Sequence, residues 1–244
     1  MKLNVFGTVA EAYAFGLRHF PAFYLLVVLT SVPQYVRGQL SFPEWQERLV
    51  YGGGEMLLSC LVVALMAAVL KRDSRGETWS VLPAVRDVAT RATVVLGVSI
   101  LTSLHIIGLL YLGDALYRLH PVALIAGQIV HFFVMIFFCM ALACAAVGRG
   151  GVVDCFRQGV ALSAGSPLRI AAAALLTMVQ AAAAWALLVF YGSDPQIQEL
   201  WDILSFFGLP LFSIFPFALP VVAHARLAGS ADDSTFGEAA AVFD

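Results

Sequence analysis

Apolar residues run along this chain in long blocks, without the alternation of a strand or the narrow stripe of a soluble helix. The blocks fall at roughly 20–36, 52–70, 93–112, 122–147, 169–190 and 203–223. A transmembrane helix needs about 20 largely apolar residues. In hydrocarbon an open strand would leave its backbone groups unpaired, so each block predicts a helix. The expected fold class is therefore all-α integral membrane, with six transmembrane helices in one polytopic domain over residues 1–228.

The polar connections carry a second pattern. In the N-terminal segment, Phe6, Val9, Tyr13, Leu17 and Phe20 recur at helical spacing, and Thr8 with Glu11 fits a capping box. Between Trp79 and Arg91, Val81, Leu82, Val85 and Val88 share a face. In 152–162, Val152, Phe156 and Val160 do the same. These segments predict amphipathic helices lying in the headgroup layer, with Phe6, Tyr13, Trp79 and Phe156 as interfacial anchors. A further capping box, Ser41 with Glu44, predicts a short outer helix carrying Trp45.

Charge placement orients the spans. With the N-terminus inside, Lys2, Arg18, Lys71, Arg72, Arg75, Arg86, Arg91, Arg149, Arg157, Arg169 and Arg226 fall on the inner side. Only Arg37, Arg48 and Arg118 fall outside. This is a positive-inside bias, which places both termini in the cytoplasm. Tyr35, Tyr51, Tyr111, Tyr117, Tyr191 and Trp201 fall at the outer ends of spans, as an interfacial belt requires. Residues 229–244 are small and acidic and read as a mobile cytoplasmic tail. The first apolar run follows Glu11 and Arg18 and lacks a prompt small-residue cleavage site, unlike a signal peptide.

Composition agrees with the pattern. The 244 residues are 61% hydrophobic and 12% charged, with a formal net charge of −2. A soluble domain is about 45–50% apolar and about 25% charged. The acidic balance argues against nucleic acid as a partner. Cys60, Cys139, Cys144 and Cys155 fall in apolar spans or on the inner side, where they read as small buried hydrophobes.

Two stretches suggest repetition. Val9-Ala-Glu11-Ala-Tyr13 matches Val152-Val-Asp154-Cys-Phe156, an offset of 143 residues from 9 to 152, and half that offset lands near Val81. The implied unit, three times over, is an interfacial helix followed by a transmembrane hairpin. The same stretches carry a family resemblance. Phe6 to Phe20 (FGTVAEAYAFGLRHF) and Asp154 to Ile170 (DCFRQGVALSAGSPLRI) resemble a loose bacterial superfamily. It contains the glycerophosphoryl diester phosphodiesterase membrane domains and the YciC-like inner-membrane proteins. His224-Ala-Arg226-Leu matches the end of that family's last span only in part. The resemblance implies a membrane module in the bacterial inner membrane. The phosphodiesterase activity in the family's name belongs to a separate soluble domain that has no counterpart here.

Polar residues inside spans are the candidates for chemistry. At 1.5 Å per residue, His105, His131 and Gln180 fall in one layer some 12–17 Å below the outer surface, with Glu55 shallower. Two histidines are one ligand short of a catalytic zinc site, so no metal or other cofactor is expected. Ser99, Ser103 and His105 share a span without an aspartate to complete a triad. No GxSxG, HExxH or phosphate-binding loop occurs, so no catalytic residue is assigned. Pro210, Pro216 and Pro220 predict a helix break in the sixth span. Alanines at 64, 68, 141, 145, 171–174 and 181–184 predict close helix packing.

The expected function is a non-catalytic module that binds lipid headgroups or a membrane-protein partner, by self-association or with another protein. The alternative is a small transporter or channel using the sixth-helix prolines and the His105/His131 layer.

Overall fold

The computed structural model describes residues 3–33, 53–77, 81–119, 121–191 and 198–232. They form α1 (Val5–Arg18), α2 (Phe20–Thr30), α3 (Gly53–Asp73), α4 (Val81–Thr90) and α5 (Ala92–Leu119), then α6 (Pro121–Val147), α7 (Val152–Ala164), α8 (Pro167–Tyr191) and α9 (Gln198–Asp232). No strand occurs among the described residues. Gly53–Asp73, Ile125–Val147 and Phe206–Gly229 are each long and apolar enough to cross a membrane. Counting each bent pair as one span gives up to six. The chain is an α-helical membrane protein. Trp79, the Ser41/Glu44 box with Trp45, and the tail from 233 lie outside the described residues.

The amphipathic segments meet the following helices at sharp corners: 92° between α1 and α2, 84° between α4 and α5, and 93° between α7 and α8. Local chemistry favours two of these corners. Pro21 and Pro167 stand in the first turns of α2 and α8, where a missing N–H costs nothing. The third corner is Arg91, whose guanidinium donates to the carbonyls of Ala145 (2.6 Å), Gly148 and Gly150 (3.0 Å). A cation on the last carbonyls of α6 also complements the negative end of that helix.

The contacts repeat around the molecule. α3, α6 and α9 pack against one another in the centre. α2 lies against α3 and α9, α5 against α6 and α3, and α8 against α9 and α6. Each short helix rests on one of the three central helices: α4 on α3, α7 on α6, and α1 on α9. Small residues make the close approach possible: Ala64, Ala68, Ala141, Ala145, Ala218 and Ala223 are buried. In the absence of a hydrophobic driving force between helices, such faces let dispersion contacts hold the bundle.

The short helices dock largely through small residues, with Phe15 and Val88 beside them. Their buried positions are Thr8, Ala12, Phe15 and Gly16 on α1, Ala84 and Val88 on α4, and Cys155, Gly159 and Ser163 on α7. A Cβ on Gly159 would lie 3.0 Å from Ala141 N and Phe137 O, so α7 presses backbone to backbone on α6. At each joint the seventh residue of the short helix takes a bond from the end of the central helix beneath. Arg226 pairs with Glu11, Arg72 Nε with Asp87 at 2.7 Å, and the Cys144 thiol donates to Gln158 at 2.7 Å.

Several expectations need correction. Thr8 and Glu11 form no capping box. Asn4 caps α1 by accepting from Gly7 N at 3.1 Å, the Thr8 hydroxyl donates to Asn4 O at 2.7 Å, and Glu11 serves Arg226. The prolines do not break the last helix: α9 runs on through Pro210, Pro216 and Pro220 to Asp232, past the expected boundary at 228. Packing by α2, α3 and α6 on that stretch holds it helical despite the lost donors.

Candidate functional site

The expected residues sort into three places. Of the anchors among the described residues, only Phe6 is exposed, at 78%. Tyr13 stacks on Phe215 of α9, ring centroids 4.2 Å apart, and Phe156 meets Phe138 of α6 edge-on at 5.0 Å. Both half-buried rings therefore hold short helices to the bundle. Sequence periodicity places an aromatic on a face and leaves open which side the bundle occupies. The exposed apolar positions are Leu17 on α1, Leu82 and Val85 on α4, and Val153 and Val160 on α7.

His105 and His131 do meet. Nδ1 of His131 lies 3.2 Å from Nε2 of His105, so one imidazole donates to the other, and the rings stack at 5.1 Å. Phe138 stacks on the far face of His105 at 4.9 Å. Gln180 does not join them. It sits on α8, which packs chiefly on α9 and α1, and its amide nitrogen is buried without a hydrogen-bond partner. Equal depth had suggested one layer, but angular position around the bundle separates the two sites.

Glu55 and the prolines come together instead. A partly open cavity of about 260 Å³ lies where α3, α6 and α9 meet, with α2 and α5 contributing to its wall. Helix α3 contributes Glu55, Ser59 and Cys60. Helix α9 contributes Pro210, Ser213, Pro216 and Pro220, and α6 contributes Met135, Cys139 and Leu142. Thr30 and Ser31 of α2 and Thr102 of α5 complete the polar part. His105 and His131 each stand about one turn from a lining residue, Thr102 and Met135, but neither imidazole lines the space.

Each proline on the cavity wall withholds the N–H due to the carbonyl four residues earlier. The hydroxyls of Thr30 and Thr102 donate within their own helices, to Val27 O at 2.7 Å and Val98 O at 2.8 Å. Their remaining lone pairs face the cavity. Reading the sequence for ionisable residues missed these hydroxyls. The available signal was one hydroxyl or more in each of four apolar blocks.

The opposite end of the bundle holds most of the described charge. His19 Nε2 lies 2.7 Å from Asp73, which also faces Arg18 at 3.6 Å. Lys71 donates to Val147 O at 2.8 Å, and Arg169 to Leu3 O at 3.0 Å. Among the described residues no three or more of His, Cys, Asp and Glu converge to hold a metal. No protein-family model, curated protein or solved structure matches the chain.

Proposed function

We propose that the chain is a non-catalytic module of the bacterial inner membrane, crossing it six times with both ends in the cytoplasm. In this reading it binds lipid headgroups or a membrane-protein partner through its three short helices. One observation carries the proposal: three near-perpendicular helices present exposed apolar residues beside exposed basic ones. Phe6 and Leu82 are 78% exposed and Val153 62%, while Arg18, Arg86 and Arg157 are also exposed. A helix of this kind at headgroup depth buries its apolar side at the acyl boundary and offers cations to anionic lipid, each contributing about 1 kcal/mol.

Three repeats of interfacial helix plus hairpin would explain the contact pattern. The joints at Glu11, Asp87 and Gln158 and the buried sets at Thr8, Ala84 and Cys155 fit a register in which Val5, Val81 and Val152 correspond. That register lies one helical turn from the sequence match of Val9 with Val152. The resemblance to phosphodiesterase membrane domains and YciC-like proteins fits the same reading.

Native mass spectrometry of gently extracted protein tests it. Wild type should retain anionic lipid or a stoichiometric protein partner, and the Phe6→Ser, Leu82→Ser, Val153→Ser variant should lose it while keeping its thermal stability. Retention unchanged in that variant sinks the proposal. The transporter or channel alternative is favoured by the cavity at the α9 prolines. Solute uptake in proteoliposomes that vanished with His105→Ala would put it first.

A further inference from the structure

We propose that the cavity between α3, α6 and α9 binds a soft monovalent metal ion of the copper(I) type, held by the sulfurs of Met56, Cys60, Met135 and Cys139. These are the sulfur-bearing residues among the described residues of its wall. Met56 and Cys60 stand one helical turn apart on α3, and Met135 and Cys139 one turn apart on α6. That spacing puts each thioether and its thiol on one helix face. Both faces border the same space, and Cys60 and Cys139 are close enough to interact electrostatically. Glu55 and Ser213 on the same wall already have partners and play no part in the site.

A second, independent observation lies behind Cys60. Ser99 and Ser103 of α5 are 0% and 7% exposed, and neither hydroxyl oxygen has a hydrogen-bond partner. A buried hydroxyl without an acceptor is costly and calls for a cause. Both stand beside the Cys60 side chain. A thiol sulfur accepts weakly, whereas a thiolate is the form that ligates metals. With Cys60 ligating as a thiolate, both hydroxyls gain an acceptor. Hydrogen bonds to a ligating atom from the groups behind it are a regular part of metal sites.

The donor set selects the metal. Thiolates and thioethers are soft ligands, and methionine sulfur in particular suits copper(I). Structural zinc takes a full tetrahedron of Cys and His, and among the described residues no three of His, Cys, Asp and Glu converge. Charge agrees. One monovalent cation with one thiolate is neutral, which lowers the cost of holding it among apolar helices, and the other three sulfurs add no charge. On binding, the Cys60 proton passes to water and the metal keeps its oxidation state. The cavity of about 260 Å³ leaves room for the ion, and methionine side chains are flexible enough to close on it.

The test is anaerobic titration of the full chain in nanodiscs with copper(I), using bathocuproine disulfonate as competitor. Cys144 and Cys155, buried at the α6–α7 joint, form a separate pair of thiols, so the reference chain carries Cys144→Ser and Cys155→Ser. It should bind one equivalent of copper(I), with sulfur neighbours in X-ray absorption. Ser99→Ala with Ser103→Ala should weaken binding by about 10–100-fold, and Cys60→Ser by more. Absence of stoichiometric binding, oxygen or nitrogen neighbours alone, or unchanged affinity in Cys60→Ser overturns the proposal. So does retention of zinc(II) in preference to copper(I). Should a serine variant fail to fold, Met56→Leu with Met135→Leu in the wild-type chain decides, because leucine keeps the volume and removes the thioether. One fewer equivalent, or an affinity lower by about ten-fold or more, supports the site, and unchanged binding overturns it.

Discussion

The two ends of the helix bundle are held by different forces. Where α1, α4 and α7 lie, charged and polar side chains tie helix termini together: Arg91 to the end of α6, Arg72 to Asp87, Arg226 to Glu11, and His19 to Asp73. In the other half the described contacts are chiefly apolar, with the Tyr24 hydroxyl on Phe207 O at 2.9 Å and the two histidines among the polar exceptions. Near headgroups and water a guanidinium loses little solvation when it pairs, and the orphan carbonyls of helix ends are there to receive it. Deeper in hydrocarbon the same charge is expensive. The fold therefore concentrates its fastenings at one end and its free volume at the other.

That contrast can be broken at several points. The largest effect belongs to Arg91→Ala, which removes charge-assisted bonds to three carbonyls and should lower stability by about 3 kcal/mol. Arg91→Lys should recover only a minor part, because a point cation cannot span three carbonyls. Thermal unfolding in detergent measures both, and an alanine variant as stable as wild type would dissolve the contrast. Next is Gly159→Val. Its side chain would enter a contact with the α6 backbone, and overpacking of this kind costs about 1–3 kcal/mol.

Smaller effects are expected in the cavity half. Pro216→Ala restores a donor to the Phe212 carbonyl and should shift stability by less than about 1 kcal/mol in the same thermal unfolding. A large loss of stability would mean that the proline shapes the bundle and not only the cavity. His105→Phe keeps the stack on Phe138 and loses one interhelical hydrogen bond, so it should cost about 0.6 kcal/mol. A much larger cost would show that the histidine pair carries more than packing.

Much of this was readable in the chain before folding. The apolar blocks locate the long helices to within a few residues for α3, α6 and α8, and the start of α5, which runs seven residues past its block, because hydrocarbon length and backbone pairing leave little choice. The short amphipathic helices were also visible, since their apolar spacing is helical. Their docking faces were not. Thr8, Ala12 and Gly159 are small and weakly apolar, and nothing in a one-dimensional pattern marks them as the buried side. For the same reason Tyr13 and Phe156 read as lipid anchors although each packs on the bundle.

The candidate site shows the same division. Sequence alone determined which residues could carry chemistry in a membrane: Glu55, His105, His131, Gln180 and the prolines of the last span. It also set their depth, because depth is linear in residue number along a helix. Only the tertiary structure decided which of them are neighbours. It joined His105 to His131, set Gln180 apart, and brought Glu55 onto one cavity wall with Pro210, Pro216 and Pro220. The physical reason is rotational. Which face a helix turns inward, and which helix it meets there, depends on small-residue packing against partners far away in sequence.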